Sequence, residues 1–187
     1  MNPRLIVLAA LLCASLAHAN DDALVAETKK TAMGIPPKLL AMLQAEIEKG
    51  NYSSAIDACA DKAPKMAAAA SQSTGWAIRR VSLKNRNPKA TPDVWERDAL
   101  LDFDRRAAAG ESPATLEKVE FVNEGDTRTL RYIKALATQG LCLSCHGAPE
   151  SMSPEVKAQI AKNYPNDLAV GYREGQVRGA LTIKRPL

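Results

Sequence analysis

The segment of this chain that is most informative about chemistry is Cys142-Leu143-Ser144-Cys145-His146-Gly147. Two thiols separated by two residues and followed directly by an imidazole form the CxxCH pattern of covalent c-type haem attachment. In such a site both thiols become bonded to the haem, and the adjacent histidine becomes an axial ligand of the iron. The motif therefore predicts one covalent haem c, attached through Cys142 and Cys145 with His146 as an iron ligand.

Two other chemistries could use the same residues. Cys142 and Cys145 could form a disulfide, but a thioredoxin-type redox motif needs a βα setting, and the flanking sequence shows none. Zinc could be bound by Cys59 together with the three residues of the motif, yet adjacent Cys145 and His146 do not match the usual spacing of zinc ligands. The pattern therefore favours haem over both alternatives.

The start of the chain has the pattern of a secretory signal peptide. Arg4 precedes a short apolar run, residues 5–16, and Ala17-His18-Ala19 matches an A-x-A cleavage site. This predicts a signal peptide over residues 1–19, a mature domain over residues 20–187 and a periplasmic location. The apolar run is too short to span a bilayer, and no later stretch is apolar enough, so no transmembrane anchor is expected after cleavage.

Removal of the signal peptide would leave His146 as the chain's remaining histidine, so a second histidine cannot ligate the iron. Cys59 is the spare thiol of an exported chain, and it shares one face of a predicted helix with Ile56. It is either a thiolate ligand of the iron or a small buried hydrophobic residue. The position could instead stay open or take a thioether from one of four methionines: Met33, Met42, Met66 or Met152.

These alternatives differ in chemical consequence. A thioether ligand raises the haem potential, whereas an anionic thiolate should stabilise ferric iron and lower that potential. A thiolate bond should weaken on reduction, which would free a position for a small gas such as NO or CO. A cysteine ligand would therefore suit a sensor that switches ligands.

The haem propionates also need partners, for which arginine is well suited. Six arginines lie in or near predicted strands: Arg79, Arg80, Arg86, Arg128, Arg131 and Arg178. Of these, Arg79 and Arg131 are taken as the propionate partners.

Composition excludes other classes of function. The formal net charge is only +4, basic residues are interspersed with acidic ones, and aromatic residues make up 4% of the chain, so a nucleic-acid partner is not indicated. A haem enzyme is not expected either, because no second histidine is available as a distal acid or base. The expected partners are haem and either a small gas or a redox partner protein.

The elements that must position the motif change in type along the chain. Up to about residue 73 the pattern predicts helices, interrupted by Pro36-Pro37. Strands are predicted over residues 76–83, 118–122, 127–136 and 176–184, with a helix capped by Thr91 between the first two. The sum is an α+β domain with an N-terminal helical region and an antiparallel sheet.

Three stretches extend this interpretation: WAIRRVSLKNRNPKATPDVWE from residue 76, GLCLSCHG from residue 140, and YPNDLAVGYREGQVRGALTI from residue 164. Together they resemble a family of periplasmic haem c domains with a PAS-like fold, formerly a domain of unknown function. The resemblance implies covalent haem at Cys142 and Cys145, proximal His146, and a thiolate from an N-terminal helix, which Cys59 matches. It also implies a sensor of redox state or of a diatomic gas. The alternative function is an electron-transfer cytochrome c.

Overall fold

The computed structural model describes residues 20–50 and 52–187, so the predicted signal peptide lies outside the described residues. The first part of the described chain is helical, as the sequence pattern predicts. Its helices are α1 (residues 20–33), α2 (Pro36–Glu48), α3 (Tyr52–Asp57) and α4 (Ala63–Thr74). Helix α2 starts at Pro36 because a proline is tolerated in the first turn, where its missing N–H costs no hydrogen bond.

Helices α3 and α4 are joined by a π-helical turn, Ala58–Lys62. The N–H of Ala63 donates to the carbonyl of Ala58, five residues earlier. Pro64 follows and has no N–H to donate back into the preceding turn, which makes the α-helical pattern incomplete at this point. Cys59 lies inside this turn, and π-turns inside α-helices are frequent at functional sites.

Four strands form one antiparallel sheet in the order β1-β4-β3-β2. Their bounds are β1 (Ala77–Val81), β2 (Glu117–Glu124), β3 (Thr127–Ala137) and β4 (Val177–Pro186). Strands β2 and β3 are a hairpin, and β4 lies between β3 and β1. The predicted α+β class, with helices first and an antiparallel sheet after them, is confirmed.

Both faces of the sheet are covered by helices. Helix α5 (Val94–Ala108) packs Leu100 and Phe103 against Val81 and Ile133 on one face. On the other face, Ala32 of α1 and Ala70 of α4 pack against a cluster that includes Tyr132 and Ile183. Because side chains alternate along a strand, neighbouring residues of β1 and β3 face different helices.

Helix α5 begins two residues later than predicted. Its N-cap is Asp93 rather than Thr91, since the Asp93 carboxylate accepts from the N–H of Glu96 at 2.9 Å and the Glu96 carboxylate accepts from the N–H of Asp93 at 2.8 Å. This reciprocal capping box satisfies two N–H groups, and Thr91 adopts an extended conformation before it.

The CxxCH segment and helix α7 (Pro154–Asn163) lie between β3 and β4 in the chain. Helix α7 packs Val156 and Ile160 against Ile56 of α3, so the inserted segment is attached to the N-terminal helices. Within the part of the chain described, no helix is both long enough and apolar enough to cross a membrane.

Candidate functional site

The CxxCH residues lie on two consecutive short helical turns. A 3-10 turn, Gly140–Cys142, leads directly into helix α6, Leu143–His146. Cys142 and Cys145 are three residues apart, which places both thiols on one side of the turn. Both are free and half-buried, and Cys142 Sγ accepts from the N–H of Gln139 at 3.4 Å. Both thiols are therefore available for bonding to a ligand.

Gly147 ends this turn at a position that has no room for a side chain. Its N–H donates to the carbonyl of Leu143 at 2.9 Å. A Cβ atom at residue 147 would lie 2.6 Å from the same carbonyl oxygen, closer than such atoms approach in proteins. The glycine that follows the histidine is therefore required by the close return of the backbone.

The His146 imidazole is held by one of its two nitrogens. Nδ1 lies 2.8 Å from the carbonyl oxygen of Ala169. A carbonyl only accepts, so Nδ1 carries the proton in this hydrogen bond, and neutral His146 has its lone pair on Nε2. Burial, followed by the charges of Arg178 and Arg86, lowers the pKa of His146 well below its usual value. The side chain is thus a neutral imidazole with a fixed tautomer, the form that binds metals.

The chain segment 169–172 fixes the backbone of the motif as well. The N–H of Tyr172 donates to the carbonyl of His146 at 2.9 Å, and the N–H of Gly171 donates to that of Gly147 at 2.7 Å. The Tyr172 ring meets the His146 ring edge to face, with centroids 6.3 Å apart and planes at 87°. These contacts set the direction in which Nε2 points.

Arg86 connects the motif to the same segment. Its guanidinium donates to both carboxylate oxygens of Asp167, at 3.0 and 2.9 Å, and to the carbonyl of Cys145 at 2.6 Å. Each of the two side chains is 9% exposed, so this is a buried bidentate ion pair. Arg86 therefore satisfies a carbonyl that the short helix α6 leaves without a partner in the helix.

Cys59 is on the same side of the molecule as the motif. Its neighbour Ala60 and the preceding Ile56 pack in one apolar cluster with Cys145. Burial raises the pKa of the Cys59 thiol. The charges of Arg80, Arg86 and Arg178 lower it, and Cys142 raises it. The structure therefore brings the predicted ligand Cys59 close to the CxxCH turn.

The positive charges around these thiols come from three arginines, of which Arg86 is paired with Asp167. Burial, followed by the charge of Arg80, lowers the pKa of Arg178 to about 9. Burial also lowers the pKa of Arg80, while Cys59 and Cys142 raise it. Among the described residues, neither Arg80 nor Arg178 has a carboxylate partner. Arg178 is 5% exposed, and its Nη1 donates to Ser82 Oγ and to the carbonyl of Lys84, while its Nε has no partner.

The two arginines predicted as propionate partners lie elsewhere. Arg79 pairs with Glu96, and Arg131 Nη2 is 2.6 Å from Asp93, at the start of helix α5. The structure does not bring Arg79 or Arg131 to the CxxCH turn. Arg79 and Arg80 differ because adjacent residues of β1 point to opposite faces of the sheet.

The other predicted iron ligands are placed less favourably. Met33 is 64% exposed at the end of α1, while Met42 and Met66 are half-buried on α2 and α4. Met152 is 6% exposed and packs in the apolar cluster that contains Cys145.

The zinc alternative gains no support from the structure. Across residues 20–50 and 52–187, no group of three or more His, Cys, Asp or Glu side chains is arranged to hold a metal ion. The disulfide alternative gains none either, because Cys142 and Cys145 are free thiols.

The chain is similar to known proteins over most of its length. The model of the Tll0287-like family matches residues 11–186. The chain belongs to the Tll0287-like family. Among solved structures, the crystal structure of the cyanobacterial heme-protein Tll0287 is similar, with 30% sequence identity, a TM-score of 0.55, and coverage of 67% of this chain and 70% of that chain. No curated protein matches. The predicted family resemblance is thereby confirmed.

Three features of the site were not predicted from the sequence: the Ala169 carbonyl, the ion pair of Arg86 with Asp167, and the Tyr172 ring. Ala169 acts through its backbone carbonyl, for which a sequence carries no signal. Asp167 and Arg86 lie in the YPND and RNP stretches that supported the resemblance, and a buried partner for Arg86 could have been sought among the acidic residues of the other stretches. Tyr172, in the GYREG stretch, is the aromatic residue beside His146.

Proposed function

We propose that this protein carries one covalent haem c and senses redox state or a diatomic gas. The single observation that supports this most strongly is the 2.8 Å contact of His146 Nδ1 with the carbonyl of Ala169, which leaves Nε2 as the ligand nitrogen. Similarity to a heme protein over two-thirds of the chain supports haem as the bound group. When bound, haem supplies an iron that changes oxidation state and can take up small gases.

Cys142 and Cys145 are proposed to attach the haem covalently. Both are free, they share one side of a short helical turn, and His146 follows them directly. Covalent attachment would hold the haem to the turn whose backbone is fixed by Gly171 and Tyr172.

Cys59 is proposed as a further residue that would hold the iron, in the thiolate form. Its placement in a π-helical turn beside the CxxCH turn supports this role. The pKa of Cys59 is raised overall, because burial outweighs the charges of Arg80, Arg86 and Arg178. The thiolate form would therefore depend on bonding to the iron, with the three arginines as the positive charges that favour it. Cys59 would bind ferric iron more strongly than ferrous iron and would release it on reduction.

Arg80 and Arg178 are proposed as the propionate partners in place of Arg79 and Arg131. Arg178 is buried and Arg80 is half-buried, burial lowers the pKa of each, and neither has a carboxylate partner within the described chain. A buried cation without a counter-charge is costly, so the site is suited to an anionic ligand. Two haem carboxylates would supply the missing negative charge.

A periplasmic location is also proposed. Residues 1–19 are proposed as a signal peptide that directs the protein to the periplasm, where haem c is attached. No catalytic residue is proposed.

Release of Cys59 on reduction would distinguish a sensor from an electron carrier, because a carrier would keep the same ligands in both oxidation states.

Absorption spectra of the purified ferric and ferrous protein, with and without carbon monoxide, test the ligands. We expect the ferric spectrum of Cys59→Ser to differ from wild type, and the reduced wild-type protein to bind carbon monoxide. Met152→Leu is the matched control, because Met152 packs in the same apolar cluster and should leave the spectra unchanged. An unchanged ferric spectrum in Cys59→Ser would exclude this cysteine as a ligand. If the reduced protein does not bind carbon monoxide, the result would favour the alternative function of an electron-transfer cytochrome.

Mass spectrometry of protein made in a host that attaches haem c tests the covalent bonds. The expected mass is that of the chain from residue 20 onward plus one haem. A chain without a covalent haem adduct would overturn the proposal, whatever the spectra show.

A further inference from the structure

A cavity of about 330 Å³ lies between helix α5 and the loop of residues 171–176, within the size range of small-ligand pockets. None of the proposed haem ligands lines it. Its apolar walls include Leu83, Leu100 and Val177, and its two charged residues are Lys84 and Asp104. The cavity therefore offers an apolar wall together with one group of each charge.

Asp104 is a carboxylate without a counter-charge. Among the residues that the structure describes, it has no ion pair or hydrogen bond, and burial raises its pKa. Asp104 and Lys84 are both exposed, so a ligand in the cavity can reach both charges, and a cationic ligand group such as an ammonium would complement Asp104.

Lys84 presents the opposite charge. Its ammonium donates to the carbonyl of Val170 and lies 4.5 Å from the centroid of the Tyr172 ring. It makes no ion pair with Asp104 within the described chain. A ligand that carries both an ammonium and a carboxylate would complement the two residues together.

Two residues that line this cavity also contact the CxxCH turn. Gly171 and Tyr172 line the cavity, and their N–H groups donate to the carbonyls of Gly147 and His146. The Tyr172 ring touches the His146 ring on one side and carries the Lys84 ammonium over its face. A ligand beside Tyr172 would thus act on the residue that orients the imidazole.

We propose that this cavity binds a small zwitterion of the α-amino-acid class, with its ammonium at Asp104 and its carboxylate at Lys84, and that binding is coupled to the haem through Tyr172. The binding site goes beyond the proposed function, whereas the coupling rests on it. Because coupling between two sites is reciprocal, the zwitterion must bind the ferric and ferrous proteins with different affinity.

Isothermal titration calorimetry of the holoprotein tests the site with three probes: L-alanine, ethylamine and acetate. We expect L-alanine to bind at least tenfold more tightly than ethylamine or acetate, because each of these carries only one of the two charges. Asp104→Asn and Lys84→Met should each weaken L-alanine binding at least tenfold. Asp98→Asn is the matched control, since Asp98 is, like Asp104, an exposed carboxylate of helix α5 but does not line the cavity.

Absence of heat with all three probes, or equal L-alanine affinity in Asp104→Asn and Asp98→Asn, would overturn the site. A redox titration with and without L-alanine tests the coupling, for which a shift in midpoint potential is expected. L-alanine binding with an unchanged potential would overturn the coupling. Calorimetric binding does not require an iron ligand, so failure of the haem proposal would be seen separately, as the missing haem mass.

Discussion

Two groups of arginines in this molecule have opposite surroundings. In the first, Arg79 and Arg131 are paired with Glu96 and Asp93 at the start of helix α5. In the second, beside the CxxCH turn, Arg80 and Arg178 have no carboxylate partner in the described chain. The chain supplies carboxylate partners for the first group, whereas the described residues supply none for the second. We therefore expect the paired arginines to contribute to stability, whereas the unpaired ones are those proposed to bind an anionic ligand.

The largest effect is expected from Arg131→Met in the first group. Glu96 is fully buried and would lose one of its two cationic neighbours, while Asp93 would lose its 2.6 Å partner. Removal of one member of a buried ion pair costs about 3–5 kcal/mol of unfolding free energy. Urea denaturation followed by circular dichroism measures the loss. Adding Glu96→Gln should restore part of the stability, and a loss below about 1 kcal/mol would contradict the importance of the pairing.

Arg86→Met should come next, because Arg86 is the one arginine beside the CxxCH turn that has a buried carboxylate partner in the described chain. Asp167 would keep its 2.8 Å hydrogen bond from the N–H of Ala169 but would lose both bonds from Arg86. A loss of about 3 kcal/mol is expected in the same denaturation experiment. The double variant Arg86→Met, Asp167→Asn should be more stable than Arg86→Met. If it is less stable, the buried charge of Asp167 is not the cause.

Arg178→Met should change the unfolding free energy of haem-free protein by only about 1 kcal/mol, because no carboxylate loses a partner. The haem-free form can be made by replacing both Cys142 and Cys145 with alanine. In the holoprotein, removal of the positive charge that we propose faces a haem carboxylate should lower the midpoint potential, which a redox titration measures. Arg79→Met is the control and should leave the potential unchanged. An equal shift in both variants would remove the distinction between the groups.

The smallest effect is a dependence on pH that belongs to the first group. Burial raises the pKa of Asp93, but the Glu96 N–H and Arg131 outweigh it, so the folded pKa lies below the unfolded value of 3.8. A depressed pKa contributes stability that is present above pH 3.8 and is lost as the pH falls through the folded pKa. Asp93→Asn should therefore flatten the acid limb of the stability curve. An unchanged acid limb would show that Asp93 is not responsible.

Much of the fold could be predicted from local pattern. The strands predicted over residues 118–122 and 127–136 form the hairpin of β2 and β3. Ser153 and Pro154 are the cap and the first residue of α7, a pair that is typical of a helix start. The predicted cap of α5, Thr91, was wrong because two capping patterns overlap between residues 91 and 96. Asp93 prevailed since Glu96 completes its capping box.

The candidate site was predictable only in part. Its thiols and imidazole are recognisable because covalent attachment requires fixed residue types at fixed spacing. The choice between Arg79 and Arg80 was not predictable, since either could face the CxxCH turn until the packing of β1 is known. The same holds for the Asp167 partner of Arg86, which lies 81 residues away in the chain.

By itself the sequence determined the CxxCH motif, His146 as the one histidine of residues 20–187, Cys59 as the one further cysteine of that range, and the order of helices and strands, because each depends on residue type and short-range spacing. Only the tertiary structure decided which nitrogen of His146 is free and which arginines remain without a counter-charge. Both depend on contacts between residues far apart in the chain, such as His146 with Ala169, that no local pattern specifies.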